Sequence, residues 1–253
     1  MDIKTFLGAD QLDGDLWTFS LPEELNGAFG GMFGGIIAAA CIVASRSSAP
    51  ERVPTAIDCR FLRGLPPGSS RARTTLLHSG RSLSCVSVDV HDERDRLATR
   101  ATVSLVEPRA LRNVARPGAP PPGGWSSVED AEPWPPVAPI AKSLDIRTVG
   151  AGPEGIAVAV LIPWRTGGSP EAACLAADAS VGPPVAAAMR GERVATPNPD
   201  LSLRFCGEIG AGRLVGLARA ERAEGGVAAV RLAVWSDEQL VAIGVSSSLL
   251  LGA

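Results

Sequence analysis

The longest apolar segment of the sequence is NGAFGGMFGGIIAAACIVASRS, residues 26–47, in which the first charged residue is Arg46. Its apolar residues are not confined to one stripe, as they are in an amphipathic surface helix. The pattern therefore predicts a helix that protein surrounds on nearly every side. The segment reaches the roughly 17 residues that a membrane span needs, but it consists mostly of Gly and Ala and has no aromatic belt. No membrane span is expected.

Runs with partial alternation of apolar and polar residues, rich in Val, Thr and Leu, follow this helix. Such runs are typical of half-buried β-strands, and the turn sequences GLPPG, SG and HDERD separate them. The first half is therefore predicted to be one helix followed by an antiparallel meander. The predicted strands span residues 53–62, 69–79, 81–90 and 96–106.

The second half repeats this plan. A predicted strand at 154–165 precedes a helix at 169–192, and four more strands follow at 198–209, 213–223, 226–236 and 239–251. Two copies of strand, helix and four strands predict an α+β fold that arose by duplication. The segment between the copies is dense in Pro and Gly, which interrupt helices and strands. We therefore predict an N-terminal unit at 1–106, a Pro/Gly-rich connection at 107–142 and a C-terminal unit at 143–253.

Composition narrows the class of protein. A hydrophobic fraction of 45 % supports a packed core, and a net charge of -3 without a basic stripe makes nucleic acid an improbable partner. The five cysteines are widely spaced and the chain has only two histidines, so we expect reduced thiols and no metal site. The acidic N-terminus has no continuous apolar run and does not resemble a signal peptide. A cytoplasmic protein is expected.

The glycines of the first helix need a reason, because each glycine inside a helix costs roughly 1 kcal/mol relative to alanine. Gly30, Gly31, Gly34 and Gly35 remove side chains where backbone must approach a sheet or a ligand closely. If the helix begins near Gly31, its free N–H groups point into the cleared space and favour a polarised carbonyl oxygen. Close packing of the helix on its sheet would account for the glycines equally well.

Several motifs resemble the double-hotdog acyl-CoA thioesterases of the acyl-CoA thioesterase II type. The segment FGGMFGGIIAAACIVAS is similar to the first hotdog helix of that family, and DCRFLRGLPPGS to its FLRPG strand and turn. LLHSGRSLSCVSVDV resembles the hairpin of the first unit, whereas CLAADAS, NPDLSLRF and DEQLVAIGVSSSLL resemble elements of the second. The resemblance implies two fused hotdog units, each a long central helix wrapped by a curved antiparallel β-sheet.

The resemblance also implies a set of site residues. The family activates water with an Asp, a Ser or Thr, and a Gln; these positions fall on Asp178, Asn198 and Ser246, so that one of the three residues is kept. Thr196 or Ser247 would take over under a shifted register. The wall of the substrate pocket is expected to include Gly30, Gly31, Met32, Thr196 and Trp164, the last in a turn at 164–170.

The function implied is hydrolysis of an acyl-CoA or acyl-carrier-protein thioester, without a metal or redox cofactor. Arginines at 60, 63, 71, 73 and 81 are candidates for holding the phosphates of such a substrate, and solubility would explain them equally well. The two substituted positions leave alternatives open. One is a non-hydrolytic tailoring enzyme of natural-product biosynthesis (a cyclase, dehydratase or acyl-transfer catalyst), and another is a silent acyl-binding protein. Because fused hotdogs often pair through sheet edges, a homodimer is also possible.

Overall fold

The computed structural model describes residues 1–112, 114, 118–123, 125–134, 138–164, 170–207 and 212–252. Its helices are α1 Ile3–Phe6, α2 Gly34–Ser45, α3 Ile140–Ser143 and α4 Pro170–Ala188. Its strands are β1 Ala9–Asp13, β2 Leu16–Leu21, β3 Val53–Phe61, β4 Gly68–Ser79, β5 Leu83–His91, β6 Leu97–Val106, β7 Glu132–Pro133, β8 Arg147–Gly152, β9 Gly155–Leu161, β10 Val194–Ala195, β11 Asp200–Phe205, β12 Arg213–Glu224, β13 Val227–Ser236, β14 Gln239–Leu249 and β15 Leu251–Gly252.

The two long helices are buried, as their all-round apolar sequences predict. In α2 every residue from Gly35 to Ser45 is buried, and α4 is buried from Glu171 to Val181. The helix expected to begin near Gly31 begins only at Gly34. The residues before it form a tight loop, in which the Gly27 N–H donates to the Gly31 carbonyl at 2.8 Å and Gly30 has a φ of 76°. The helix starts later because Met32 is paired with Asn26 in a β-bridge and Phe33 has a ψ of 130°, which is outside the helical region.

Among the described residues, thirteen strands form one sheet in the order β1-β2-β4-β5-β6-β3-β11-β14-β13-β12-β9-β8-β7. The antiparallel β3–β11 pair is its centre, and each half continues outward with the same pattern of strands. Each half is a hotdog unit, in which an antiparallel sheet wraps one long helix. The fold class predicted from the sequence is confirmed, whereas the predicted unit boundaries at 106 and 142 stay a prediction.

Glycines allow the helices to approach their neighbours closely. A Cβ on Gly35 would lie 2.8 Å from both the carbonyl oxygen of Cys174 and the Cα of Leu175, so α2 and α4 touch backbone to backbone. On β12, a Cβ at Gly216 would collide with Ser180 of α4. Close packing therefore accounts for part of the glycine content, and one hydrophobic core runs through both halves.

Some strands of the structure were not predicted from the sequence. No strand was predicted at β1, β2 or β8, although β2 alternates in burial along its length, pairs with β4 and completes the first unit. Trp125 of the Pro/Gly-rich connection packs on the second unit, where it meets Trp235 with ring centroids 5.8 Å apart. No helix in the described ranges is long and apolar enough to cross a membrane.

Candidate functional site

A cavity of about 660 Å³ lies where the start of α2 meets the middle of α4. The end of β3, the loop before α2 and the segment before β11 also contribute to its wall. Most of the wall is apolar, including the aromatic side chains of Phe29, Phe33, Phe61 and Trp134. The polar side chains in the described wall are those of Arg63, Thr148, Asp178, Thr196 and Asn198. An apolar cavity with a few converging polar groups is the usual form of a small-molecule site.

Asp178 lies in the middle of α4 and is only 6 % exposed. Its Oδ2 accepts a hydrogen bond from the Gly35 N–H at 2.8 Å, and its Oδ1 accepts one from the Asn198 side-chain amide at 2.6 Å. Burial raises the pKa of Asp178 to about 6, although hydrogen bonds from Gly35, Asn198 and Gly34 act to lower it. The carboxylate is thus ionised at neutral pH and more basic than an exposed aspartate.

The glycines at the start of α2 make room for this carboxylate. A Cβ on Gly34 would lie 3.0 Å from Asp178 Oδ1 and 3.1 Å from Oδ2. The N–H groups of Gly34 and Gly35, which have no acceptor within the helix, therefore face Asp178, as does the positive end of the helix dipole. This differs from the expectation that they face a substrate oxygen, because the Gly35 N–H is already used. The Gly31 N–H faces no acceptor among the described residues, and Gly31 is part of the wall.

Asn198 is held by the residues on both sides of it. The Pro197 carbonyl accepts a hydrogen bond from the Leu249 N–H at 2.9 Å, and the Pro199 carbonyl accepts one from the Phe61 N–H at 2.8 Å. The proline rings also restrict the backbone on either side of Asn198. The Asn198 amide is therefore fixed beside Asp178, and Thr196 lies in the same wall.

The structure does not bring every predicted residue to the cavity. Ser246 is buried in β14, where its hydroxyl donates to the Asp200 carbonyl at 2.7 Å, and it is not part of the wall. Trp164 is 1 % exposed and packs against Phe6, with ring centroids 5.4 Å apart. Gly30 is exposed at the tip of its loop and also lies outside the wall. Residues 165–169 of the predicted turn lie outside the described residues.

Met32 is a wall residue, as expected, and its N–H donates to the Leu65 carbonyl at 2.7 Å. Phe61, Trp134 and Thr148 are wall residues that were not predicted from the sequence. Phe61 could have been found from its place in the FLRG motif. Trp134 and Thr148 carry no comparable signal, because they come from the connection and from the unpredicted strand β8.

Comparisons with known proteins agree with this architecture. A family profile described as the acyl-CoA thioesterase N-terminal domain matches residues 22–106. A candidate thioesterase from Novosphingobium aromaticivorans superposes with a TM-score of 0.80 at 20% identity, over 96% of this chain and 98% of its own. The acyl-CoA thioesterase II of Mycobacterium marinum gives a TM-score of 0.78 at 17% identity, over 100% and 99% of the two chains.

A hotdog-fold protein of unknown function from Alicyclobacillus acidocaldarius gives a TM-score of 0.76 at 19% identity, over 99% of this chain and 98% of its own. No curated protein sequence matches the chain. At these identities the solved structures establish the fold, which is two hotdog units in one chain. Together with the family profile, they confirm the resemblance that the sequence motifs indicated.

Proposed function

We propose that the protein hydrolyses an acyl thioester bound in the cavity, with Asp178 taking a proton from the attacking water. The observation that carries the proposal is a buried carboxylate with a pKa of about 6 that opens into an apolar cavity. Such a carboxylate is both ionised and basic at neutral pH, as a general base must be. The thioesterase profile over residues 22–106 supports thioester chemistry as the class of reaction.

In the proposed reaction, the water oxygen attacks the carbonyl carbon of the thioester while one water proton passes to Asp178. The tetrahedral intermediate then collapses and the carbon–sulfur bond breaks. The sulfur leaves as a thiol after it receives the proton from Asp178. The products are a carboxylic acid and a thiol, so the atoms and electrons balance without a redox partner.

The neighbours of Asp178 have distinct proposed roles. The Asn198 amide nitrogen is engaged with Asp178, which leaves the Asn198 Oδ1 to accept a hydrogen bond from the second O–H of the same water. The Gly31 N–H and the Thr196 hydroxyl are the wall groups that we expect to bind the carbonyl oxygen of the substrate. Ser246 receives no part in this reaction, because its hydroxyl is bound to the Asp200 carbonyl.

The experiment that tests this proposal measures free-thiol release from acyl-CoAs and acyl-phosphopantetheines with short, medium and long chains. We expect release that depends on chain length and falls by roughly 100-fold or more in Asp178→Asn, the loss typical of a missing general base. Asp58→Asn is the matched control, because it removes an exposed carboxylate that pairs with Arg204 outside the cavity. Full activity in Asp178→Asn would contradict the proposal.

A second candidate function is acyl binding without hydrolysis, or a cyclising or transfer reaction on a bound acyl chain. The observation that favours it is that Ser246 lies outside the cavity wall, with its hydroxyl bound to the Asp200 carbonyl. Without Ser246, the wall has one hydroxyl group fewer to hold the attacking water and the substrate carbonyl oxygen. Tight binding of an acyl thioester by a well-folded protein, with no thiol released from any substrate, would support binding alone. Thiol release without free carboxylic acid would instead support transfer or cyclisation.

A further inference from the structure

The arginines near the first strands differ in what surrounds them. Three of them are held in ion pairs: Arg60 with Asp200 at 3.5 Å, Arg71 with Asp95 at 3.1 Å and Arg73 with Asp15 at 3.3 Å. An arginine that already faces a carboxylate is a poor ligand for a second anion, because the partner must first be displaced. Three of the five candidate phosphate ligands are thereby disfavoured.

Arg63 is different. It lies in the segment that follows β3 and is part of the cavity wall. Its side chain is exposed, and no described carboxylate lies within salt-bridge distance of it. The N–H of Arg63 donates to the Ala98 carbonyl at 3.2 Å, which anchors the backbone. The described wall therefore carries one cation, Arg63, at an exposed position, and one anion, Asp178, at a buried one.

The segment around Arg63 borders the glycine loop of the cavity. A Cβ on Gly31 would lie 3.3 Å from the Cα of Gly64, so the two backbones are in direct contact there. Gly31, Gly64 and Arg63 all line the cavity, so Arg63 is one of the wall residues beside a substrate whose carbonyl group lies at Gly31 and Asp178. For an anionic group of that substrate, Arg63 is the cationic side chain that the described wall offers.

We propose that the Arg63 guanidinium binds the phosphate of a phosphopantetheine arm, the carrier group of the acyl thioester. The inference rests on the proposed function, because it takes the acyl group to lie at Asp178. Phosphopantetheine consists of pantetheine, an uncharged arm that carries the thioester sulfur at one end, with a phosphate at the other end. The planar guanidinium presents paired N–H donors that match two phosphate oxygens. Free CoA and acyl carrier proteins share this phosphate, so either could supply the substrate.

The test measures binding by calorimetry and does not depend on turnover. The probes are the thioethers S-octyl-phosphopantetheine, S-octyl-pantetheine and S-octyl-CoA, which cannot be hydrolysed. We expect the wild-type protein to bind the phosphorylated arm about tenfold more tightly than the unphosphorylated one, the gain typical of a partly exposed charged hydrogen bond. This preference should vanish in Arg63→Gln and persist in Arg81→Gln, which removes an exposed arginine outside the wall.

Equal binding of the two pantetheine thioethers by the wild type would overturn the inference, as would a phosphate preference that survives in Arg63→Gln. If Arg63→Gln weakens binding of S-octyl-CoA as much as binding of S-octyl-phosphopantetheine, the contact is supported and the substrate is an acyl-CoA. If the wild-type protein binds S-octyl-CoA much more weakly than S-octyl-phosphopantetheine, the contact is supported and the substrate is an acyl carrier protein. If no thioester is hydrolysed, the proposed reaction fails, while the binding ratios still test Arg63.

Discussion

At the scale of single residues, the site depends on the balance of forces at Asp178. Burial disfavours the charged carboxylate, whereas the N–H groups at the start of α2 and the Asn198 amide stabilise it. The outcome is a pKa of about 6, between that of an exposed aspartate and that of a fully unpartnered buried one. Each of these contributions belongs to a residue that can be changed separately.

The first prediction concerns the pH dependence of hydrolysis. Because the base must be deprotonated, kcat/KM should rise with pH, with a midpoint near 6, and then level off. Asn198→Ala removes a hydrogen bond that lowers the pKa of Asp178, so the midpoint should move to higher pH. The measurement is a pH–rate profile of both proteins, with Asp58→Asn as the control whose midpoint stays in place. A profile that is flat from pH 5 to 8 would rule out Asp178 as the base.

The second prediction concerns stability. The pKa of Asp178 is higher in the folded state than in the unfolded state. Its contribution to the free energy of unfolding therefore falls as the pH rises from about 4 to 6, and stays at the lower value above that range. The shift from 3.8 to about 6 corresponds to roughly 3 kcal/mol. The free energy of unfolding of Asp178→Asn minus that of the wild type should therefore be larger at pH 8 than at pH 5, by roughly 1–2 kcal/mol.

Urea unfolding of both proteins at the two pH values measures this difference. The other carboxylates titrate alike in both proteins, so their contributions cancel in the comparison. A constant difference between variant and wild type across this range would show that the carboxyl of Asp178 has an ordinary pKa in the folded state.

At the scale of elements, the contact between α2 and α4 positions the site. The start of α2 lies against the middle of α4, and Gly35 contributes both a backbone contact to Cys174 and an N–H for Asp178. The sequence predicted two buried helices because apolar residues surround both. It did not predict their contact, since nothing in a local pattern says which helix lies against which.

The third prediction tests this contact. In Gly35→Ala the new methyl group would lie 2.8 Å from α4 backbone, which cannot move as a flexible side chain can. We expect the free energy of unfolding to fall by about 1–3 kcal/mol, the usual cost of overpacking, and hydrolysis to fall with it. Gly14→Ala is the control, because nothing lies within 4 Å of a Cβ there. Chemical denaturation of both variants gives the comparison; equal stabilities would show that the helices can separate without cost.

The strands were predicted more accurately than the site. The run predicted at 53–62 is Val53–Phe61 and the run at 69–79 is Gly68–Ser79, because alternation marks a strand with one buried face. The hairpin before α2 was not predicted: Ala9–Asp13 is mostly exposed and three of its five residues are polar, whereas Leu16–Leu21 has the alternation of a strand and was overlooked. At the site, the contact between Asp178 and Asn198 was suggested only by the family resemblance, and their catalytic roles stay a prediction. Ser246 lies outside the cavity wall, because its hydroxyl donates a hydrogen bond to the backbone carbonyl of Asp200; a serine in a strand can make such a bond as readily as one to a substrate.

At the scale of the whole molecule, the β3–β11 pair and the α2–α4 contact join the two units. One hydrophobic cluster includes residues of both halves, such as Ile36 in α2 and Leu175 in α4. A unit separated from its neighbour would expose the edge of its central strand and the buried side of its helix. The site itself needs both units, because the start of α2 comes from the first and Asp178 from the second.

The fourth prediction follows from this shared core. Thermal or urea unfolding should show one cooperative transition, because the main hydrophobic cluster includes residues of both units. Tryptophan fluorescence and far-UV circular dichroism should give coincident curves, since tryptophans occur in both units, for example Trp17 and Trp164. Two separated transitions would show that the units fold independently.

The most direct test of the central claim is a single-turnover reaction with an acyl thioester in water enriched in ¹⁸O, analysed by mass spectrometry. If Asp178 activates water, the wild-type protein should release a thiol together with one carboxylic acid that carries one ¹⁸O atom. Asp178→Asn, equally well folded, should release neither on the same timescale, and Asp58→Asn should match the wild type. Thiol release without labelled acid, or labelled acid from Asp178→Asn at the wild-type rate, would contradict hydrolysis by Asp178-activated water.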